Sequence, residues 1–228
     1  MCIFGVMRKK YENKRKYAWG RFLWLFLAAI ATGGYAQDAV SILDKAAAAY
    51  ESSNGLRAHF IMQTRSDEQK MSESFEGTLD LKGDKFVLKT PGMTTWFDGT
   101  TQWSYVDRNE EVNVTTPTGE ELQMTNPAFL LRLYEKGFTP SYKGESTAPS
   151  GKAAYEVELT PKKKTAILKV RLQIEKASGL PGSITILDKN GLSNTIRIGK
   201  IETGVNQPDS YFVFNETEYP DAEIIDLR

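Results

Sequence analysis

The side chains that could do chemistry in this sequence are few. Its 228 residues include one histidine, His59, and one cysteine, Cys2, at the extreme N-terminus. With so little thiol and imidazole, most metal sites and most nucleophile–base pairs are out of reach. His59 lies in Leu56-Arg57-Ala58-His59-Phe60-Ile61, where a strand should begin, and a lone histidine there is structural or simply exposed. The carboxylate pairs Glu110-Glu111, Glu120-Glu121 and Asp107 with Glu110 fall in turn-like stretches. A glycosidase would need two such groups facing each other across a cleft, and the spacing does not suggest it. No Gly-rich phosphate loop, G-x-S-x-G elbow or H-E-x-x-H motif occurs. No catalytic residue, metal ligand or cofactor is therefore assigned, and the chain is not read as an enzyme. Lys162-Lys163-Lys164 reads as a solvated hairpin tip, with an electrostatic contact to an acidic partner or headgroup as the alternative.

What remains is apolar. Trp96, Phe97, Trp103 and Tyr105 fall within ten residues. Whether they are core or contact surface depends on the elements that carry them, and on whether those elements enclose a space.

Seven bases and one acid lie between Arg8 and Arg21; the apolar run Phe22–Ile30 follows, then Gly34-Tyr35-Ala36. A basic stretch, a short apolar core and a small-x-small end are the parts of a secretory signal peptide. Nine apolar residues fall short of the roughly 20 that span a bilayer. Residues 1–36 are thus expected to be a cleaved signal and 37–228 one exported domain. Removing seven bases and one acid from 29 and 29 leaves 22 against 28, a net charge of about −6. That argues against binding nucleic acid or anionic membrane. The remainder has no cysteine, so its core must hold it without disulfides.

A helix is expected first: Asp38 as N-cap, Val40, Leu43, Ala47 and Tyr50 at helical spacing, and Asn54-Gly55 as the stop. Period-two alternation follows in at least eight stretches, among them Phe75–Leu81, Trp103–Tyr105, Tyr155–Leu159 and Leu168–Ile174. Phe212 and Phe214 are expected in a last strand. A second helix should open at Asn126-Pro127, present Phe129, Leu130, Leu133 and Tyr134 on one face, and close at Gly137. Alternation gives each strand an apolar and a polar face. Two short helices supply too few apolar side chains to cover the apolar face of so many strands. A curved antiparallel sheet around a cavity, lidded by helices, satisfies this, as does a small filled barrel.

The order of these segments resembles the LolA family of outer-membrane lipoprotein carriers. Phe75-Glu76-Gly77-Thr78-Leu79-Asp80-Leu81 resembles its G-x-L-x-L strand, and Asp98-Gly99-Thr100-Thr101-Gln102-Trp103-Ser104-Tyr105 its D-G-x-x-x-W-x-Y strand. Asn126–Leu131 resembles its lid segment, Leu159-Thr160-Pro161-Lys162 its L-T-P-K hairpin and Phe212-Val213-Phe214 its closing strand. The resemblance implies an unclosed barrel of antiparallel strands under a helical lid. It implies a monomeric periplasmic chaperone that takes acylated lipoproteins from an inner-membrane releasing transporter to an outer-membrane acceptor. The acyl chains would meet Leu79, Leu81, Phe86, Leu88, Trp96, Trp103 and Tyr105, with Phe129, Leu130 and Leu133 in the lid. The family usually carries an arginine after G-x-L-x-L to hold the lid; Leu81-Lys82-Gly83-Asp84-Lys85-Phe86 has none. A carrier or sensor of another periplasmic lipid or glycolipid on the same fold is the alternative.

Overall fold

A computed structural model describes residues 31–66, 68–118 and 131–228, with side chains from residue 38 onward. The chain divides into Met1–Tyr35 and Ala36–Arg228; the second unit concerns us here. One α-helix is present among the described residues, α1 (Ala31–Glu51). Its run of four alanines favours the helix strongly, and Asn54 and Gly55, at φ 52° and 90°, turn the chain out of it. Asp38 lies inside this helix rather than at its N-cap. The expected second helix lies outside the described residues up to Leu130. Its C-terminal end is a 3-10 turn, Leu133–Lys136, closed by Gly137 at φ 101°.

Twelve strands follow: β1 (Leu56–Ser66), β2 (Met71–Lys82), β3 (Lys85–Thr90), β4 (Met93–Phe97), β5 (Gln102–Val106), β6 (Glu111–Thr115), β7 (Phe138–Thr147), β8 (Ala153–Pro161), β9 (Ile167–Glu175), β10 (Pro181–Asp188), β11 (Leu192–Thr203) and β12 (Glu223–Asp226). They form one sheet in the order β12-β6-β5-β4-β3-β2-β1-β11-β10-β9-β8-β7. Every pairing is antiparallel except β12 with β6. No pairing joins the two edges among the described residues, so the sheet is an unclosed barrel, as expected. The hairpins follow from turn chemistry. At Asp98-Gly99, one Asp98 oxygen accepts from the backbone N–H groups of Thr100 and Thr101, each at 2.8 Å. Asp188 does the same for Asn190 and Leu192.

The sheet's inner face curls about α1. Ala39, Leu43, Ala46 and Ala47 pack on Val157, Leu159, Val170, Leu172 and Ile184, together with Leu131 and Leu133. A second inner cluster gathers Leu56, Ala58, Phe60, Leu79, Leu81, Phe86 and Phe97. One irregularity matters here. Opposite the step from His59 to Phe60, β11 skips a residue: His59 pairs with Lys200 and Phe60 with Ile198. The bulge at Gly199 lets Ile196, Ile198 and Ile201 all face inward, which strict alternation forbids.

The outer face has a core of its own. After β11 the chain returns across β2 to β6 before laying β12 beside β6. Phe212 and Phe214 sit in this return segment, not in a strand: Phe212 ends a 3-10 turn and Phe214 is irregular. Both are buried against Val87, Trp96, Val112 and Val114. Asp80 anchors the segment. It is 3% exposed, accepts from Arg57 Nε at 2.7 Å and from the Tyr211 hydroxyl at 2.8 Å. Burial and the bond to Asp80 push the Tyr211 hydroxyl's pKa up.

Candidate functional site

The inner face is not filled. A cavity of about 260 Å³ lies between α1 and strands β1, β2, β3, β10 and β11. Ala58, Phe60 and Met62 line it from β1, Leu79 and Leu81 from β2, Leu88 from β3, and Ile184, Ile196 and Ile198 from the other side. Among the described residues, Thr90 and Tyr50 are the only polar side chains in its wall, and no charged side chain lines it. Such a wall favours an uncharged apolar body. The volume exceeds the ~150 Å³ of a cavity that holds benzene, and falls just short of the roughly 300 Å³ where ligand pockets usually begin.

Tyr50 joins the helix to the sheet over this cavity. Its hydroxyl donates to the Gly83 carbonyl at 2.5 Å. Burial, with the Asp84 carboxylate nearby, pushes its pKa up to about 12, so it remains a neutral donor. This contact falls in Leu81–Phe86, the stretch without an arginine. The segment after the undescribed residues is tied to the helix as well: Arg132 pairs with Glu51, and the Tyr134 hydroxyl donates to Asp44.

The expected site residues divide between the two faces. Leu79, Leu81 and Leu88 line the cavity. Phe86 is on the same face but lies deeper, 1% exposed, with its ring 5.4 Å from that of Phe97. Leu133 is buried in the cluster under α1 and does not line the cavity. Phe129 and Leu130 lie outside the described residues. Trp96, Trp103 and Tyr105 are on the opposite face, which corrects the expectation that they contact the same ligand. The register decides it: Phe86 pairs with Phe97 and Val87 with Trp96, Trp96 pairs with Trp103, and Trp103 and Tyr105 pair with Val114 and Val112. Val87, Trp96, Trp103, Tyr105, Val112 and Val114 sit under the return segment. The strand expected to begin at Leu56–Ile61 is β1, but its share of the cavity wall was missed; the alternation of Leu56, Ala58, Phe60 and Met62 is the signal that could have found it.

The remaining polar candidates lie apart from the cavity. His59 is exposed on the outer face, between Thr78 and Lys200. Lys162, Lys163 and Lys164 are exposed between β8 and β9. No group of three metal-ligating side chains occurs among the described residues, nor does any described helix have the length and apolarity to cross a membrane.

The family model for "outer membrane lipoprotein carrier protein LolA" matches residues 29–190. The chain belongs to the LolA family. LolA proteins are lipoprotein carriers, so membership makes this a binding protein for periplasmic lipid or lipoprotein rather than one built for covalent chemistry. Among solved structures, an uncharacterized conserved protein from Thermus thermophilus superposes with a TM-score of 0.56 at 15% identity, covering 82% of this chain and 97% of that one. That shows the fold alone. A LolA superfamily protein from Nitrosomonas europaea gives a TM-score of 0.43 at 13% identity, covering 79% of this chain and 98% of that one. Among curated proteins, none matches the sequence.

Proposed function

We propose that the chain is a periplasmic carrier that holds acyl chains of lipoproteins in the inner-face cavity. It would take them from an inner-membrane releasing transporter to an outer-membrane acceptor. A removed signal covering residues 1–36 would deliver it there. The observation that carries this reading is the cavity itself: an unfilled, uncharged space walled by aliphatic side chains, in a protein of the LolA family.

The magnitudes suit a carrier. Each buried methylene contributes about 0.8 kcal/mol. Ten or so would supply roughly 8 kcal/mol, a micromolar dissociation constant before ordering costs. That is tight enough to keep a chain out of water and loose enough to pass it on. A cavity of about 260 Å³ favours part of one chain in this closed form; a bulkier lipoprotein anchor requires α1 and the sheet to part.

The test is mass spectrometry of lipids and lipoproteins that copurify with the chain, together with uptake of a fluorescent fatty-acid probe. Acylated lipoprotein in the eluate, and probe uptake lost on Leu79→Glu, are expected. Free glycolipid in place of lipoprotein would change the cargo and retain the cavity's role. An eluate without lipid and no uptake would overturn the reading.

A further inference from the structure

The outer face carries a second concavity. A groove of about 550 Å³ lies between β3–β4 and residues 208–219 of the return segment. That is well within the roughly 300–1,000 Å³ of small-molecule sites. Trp96 faces it, with Phe214 and Tyr219 edge-on at ring-centroid distances of 5.4 Å and 5.6 Å.

Two donors in this groove are unused. Trp96 is 8% exposed, yet its indole N–H makes no hydrogen bond among the described residues. A buried indole N–H normally finds a partner. It is not sealed off either: among the described residues, Ser53 Oγ is the buried side-chain polar atom without a partner. The Trp96 N–H is therefore accessible, and Trp96 lines the groove. Lys89 also lines the groove, and its ammonium forms no ion pair or hydrogen bond within the described residues. The neighbouring acceptors are engaged. Asn215 Oδ1 accepts from Thr217, and Glu218 Oε1 accepts from the Asn215 amide at 2.8 Å.

We propose that this groove is a second ligand site, separate from the inner cavity. Its ligand is a small molecule with a flat apolar body and one oxyanion, a carboxylate or its equivalent. The rings of Trp96, Phe214 and Tyr219 take the body. The Trp96 N–H and the Lys89 ammonium donate to the anion, a charge-assisted arrangement stronger than a neutral one. The exposed Glu218 carboxylate, which also lines the groove, disfavours the anion beside itself. Among the described residues no charged side chain lines the inner cavity, so the two sites favour different ligands, and this proposal does not depend on the carrier reading.

The probe is 2-naphthoate, followed in amide and indole N–H spectra of the full chain. The Trp96 indole signal is the one missing from Trp96→Phe. It should shift and saturate with 2-naphthoate, with Ala58→Phe, which fills the inner cavity, leaving the titration unchanged. Lys89→Met should weaken binding about tenfold, as one charge-assisted bond requires. Uncharged 2-methylnaphthalene should bind more weakly by a similar factor. Shifts confined to inner-face residues such as Leu79 or Ile196 would overturn the proposal. So would equal affinity for the charged and uncharged probes, or for wild type and Lys89→Met.

Discussion

The ring of Phe60 occupies the place that a side chain on Gly77 would take. A Cβ there would stand 2.4 Å from Phe60 Cζ and 2.8 Å from the Lys89 carbonyl oxygen. Phe60 is directly opposite Gly77 across β1 and β2, so the glycine is what lets the ring lie on the sheet as cavity wall. Gly77→Ala should therefore displace both the ring and the β3 backbone. The expected loss is about 1–3 kcal/mol, or about 2–4 °C of melting temperature per kcal/mol. Probe binding to the inner cavity should weaken with it. Thermal melts and probe titration check both.

The two faces should separate cleanly in binding. Ala58 lines the cavity and is 5% exposed. Ala58→Phe should fill it and abolish uptake of a fatty-acid probe while the fold persists. Trp103→Ala removes a half-buried ring from the outer face, costing about 1–3 kcal/mol, but should leave uptake within about twofold once unfolding is accounted for. Equal losses of uptake in both variants would contradict the assignment of faces.

Asp80 fastens the return segment. Asp80→Ala leaves Arg57 and the Tyr211 hydroxyl without their shared partner. Because Arg57 is 32% exposed at its side chain, water offsets part of the loss, and about 1–3 kcal/mol is expected. The segment between residues 204 and 222 should become the first site of protease cleavage, ahead of global unfolding. Limited proteolysis with mass mapping reads this directly.

Glu175 gives a pH dependence. It is 5% exposed, and burial alone would raise its pKa. The hydroxyl of Ser150, the Lys152 ammonium and the hydroxyl of Ser178 outweigh this and hold it below the usual carboxylate range. A depressed folded-state pKa adds stability above the unfolded value, about 4.3, and that stability is lost as pH falls through the folded one. Glu175→Gln should therefore be less stable than wild type at pH 7, by about 1–3 kcal/mol. The gap should narrow steadily below about pH 4. Urea titrations across that range would expose a gap that fails to narrow.

The strands were legible because period-two alternation is a local signal: β2, β8 and β9 could be read from Leu79 and Leu81, Val157 and Leu159, and Val170 and Leu172. The sidedness of β4 to β6 was not. Alternation distinguishes two faces but not which one is inward, and here the outer face is buried too. The clue was present in consecutive apolar residues, Phe86-Val87-Leu88 and Trp96-Phe97, which a strand carries when both its faces are covered. What covers the outer face is distant in sequence, at Phe212 and Phe214, where an F-x-F pattern mimics a strand while the chain makes a 3-10 turn. The bulge at Gly199 was hidden for a related reason, since only pairing with β1 reveals the skipped residue. Of the site, Leu79, Leu81 and Leu88 were readable. The β10 and β11 walls were visible as strands but not as parts of one cavity, because their meeting depends on how far the sheet curls.

The return segment also bears on when the molecule can be finished. Synthesis runs from N- to C-terminus, and the cover for Val87, Trp96, Val112 and Val114 is supplied by residues beyond 208. Until those residues emerge, the outer apolar row from Val87 to Val114 is uncovered on β3 to β6, β3 carries apolar side chains on its inner face as well, and β6 lacks the neighbour that Glu223–Asp226 provides. The sheet cannot mature hairpin by hairpin in the order it is made. Its first-formed half keeps an apolar outer row uncovered until residues 208–226 are made, and exposed apolar rows of that kind favour aggregation of the emerging chain.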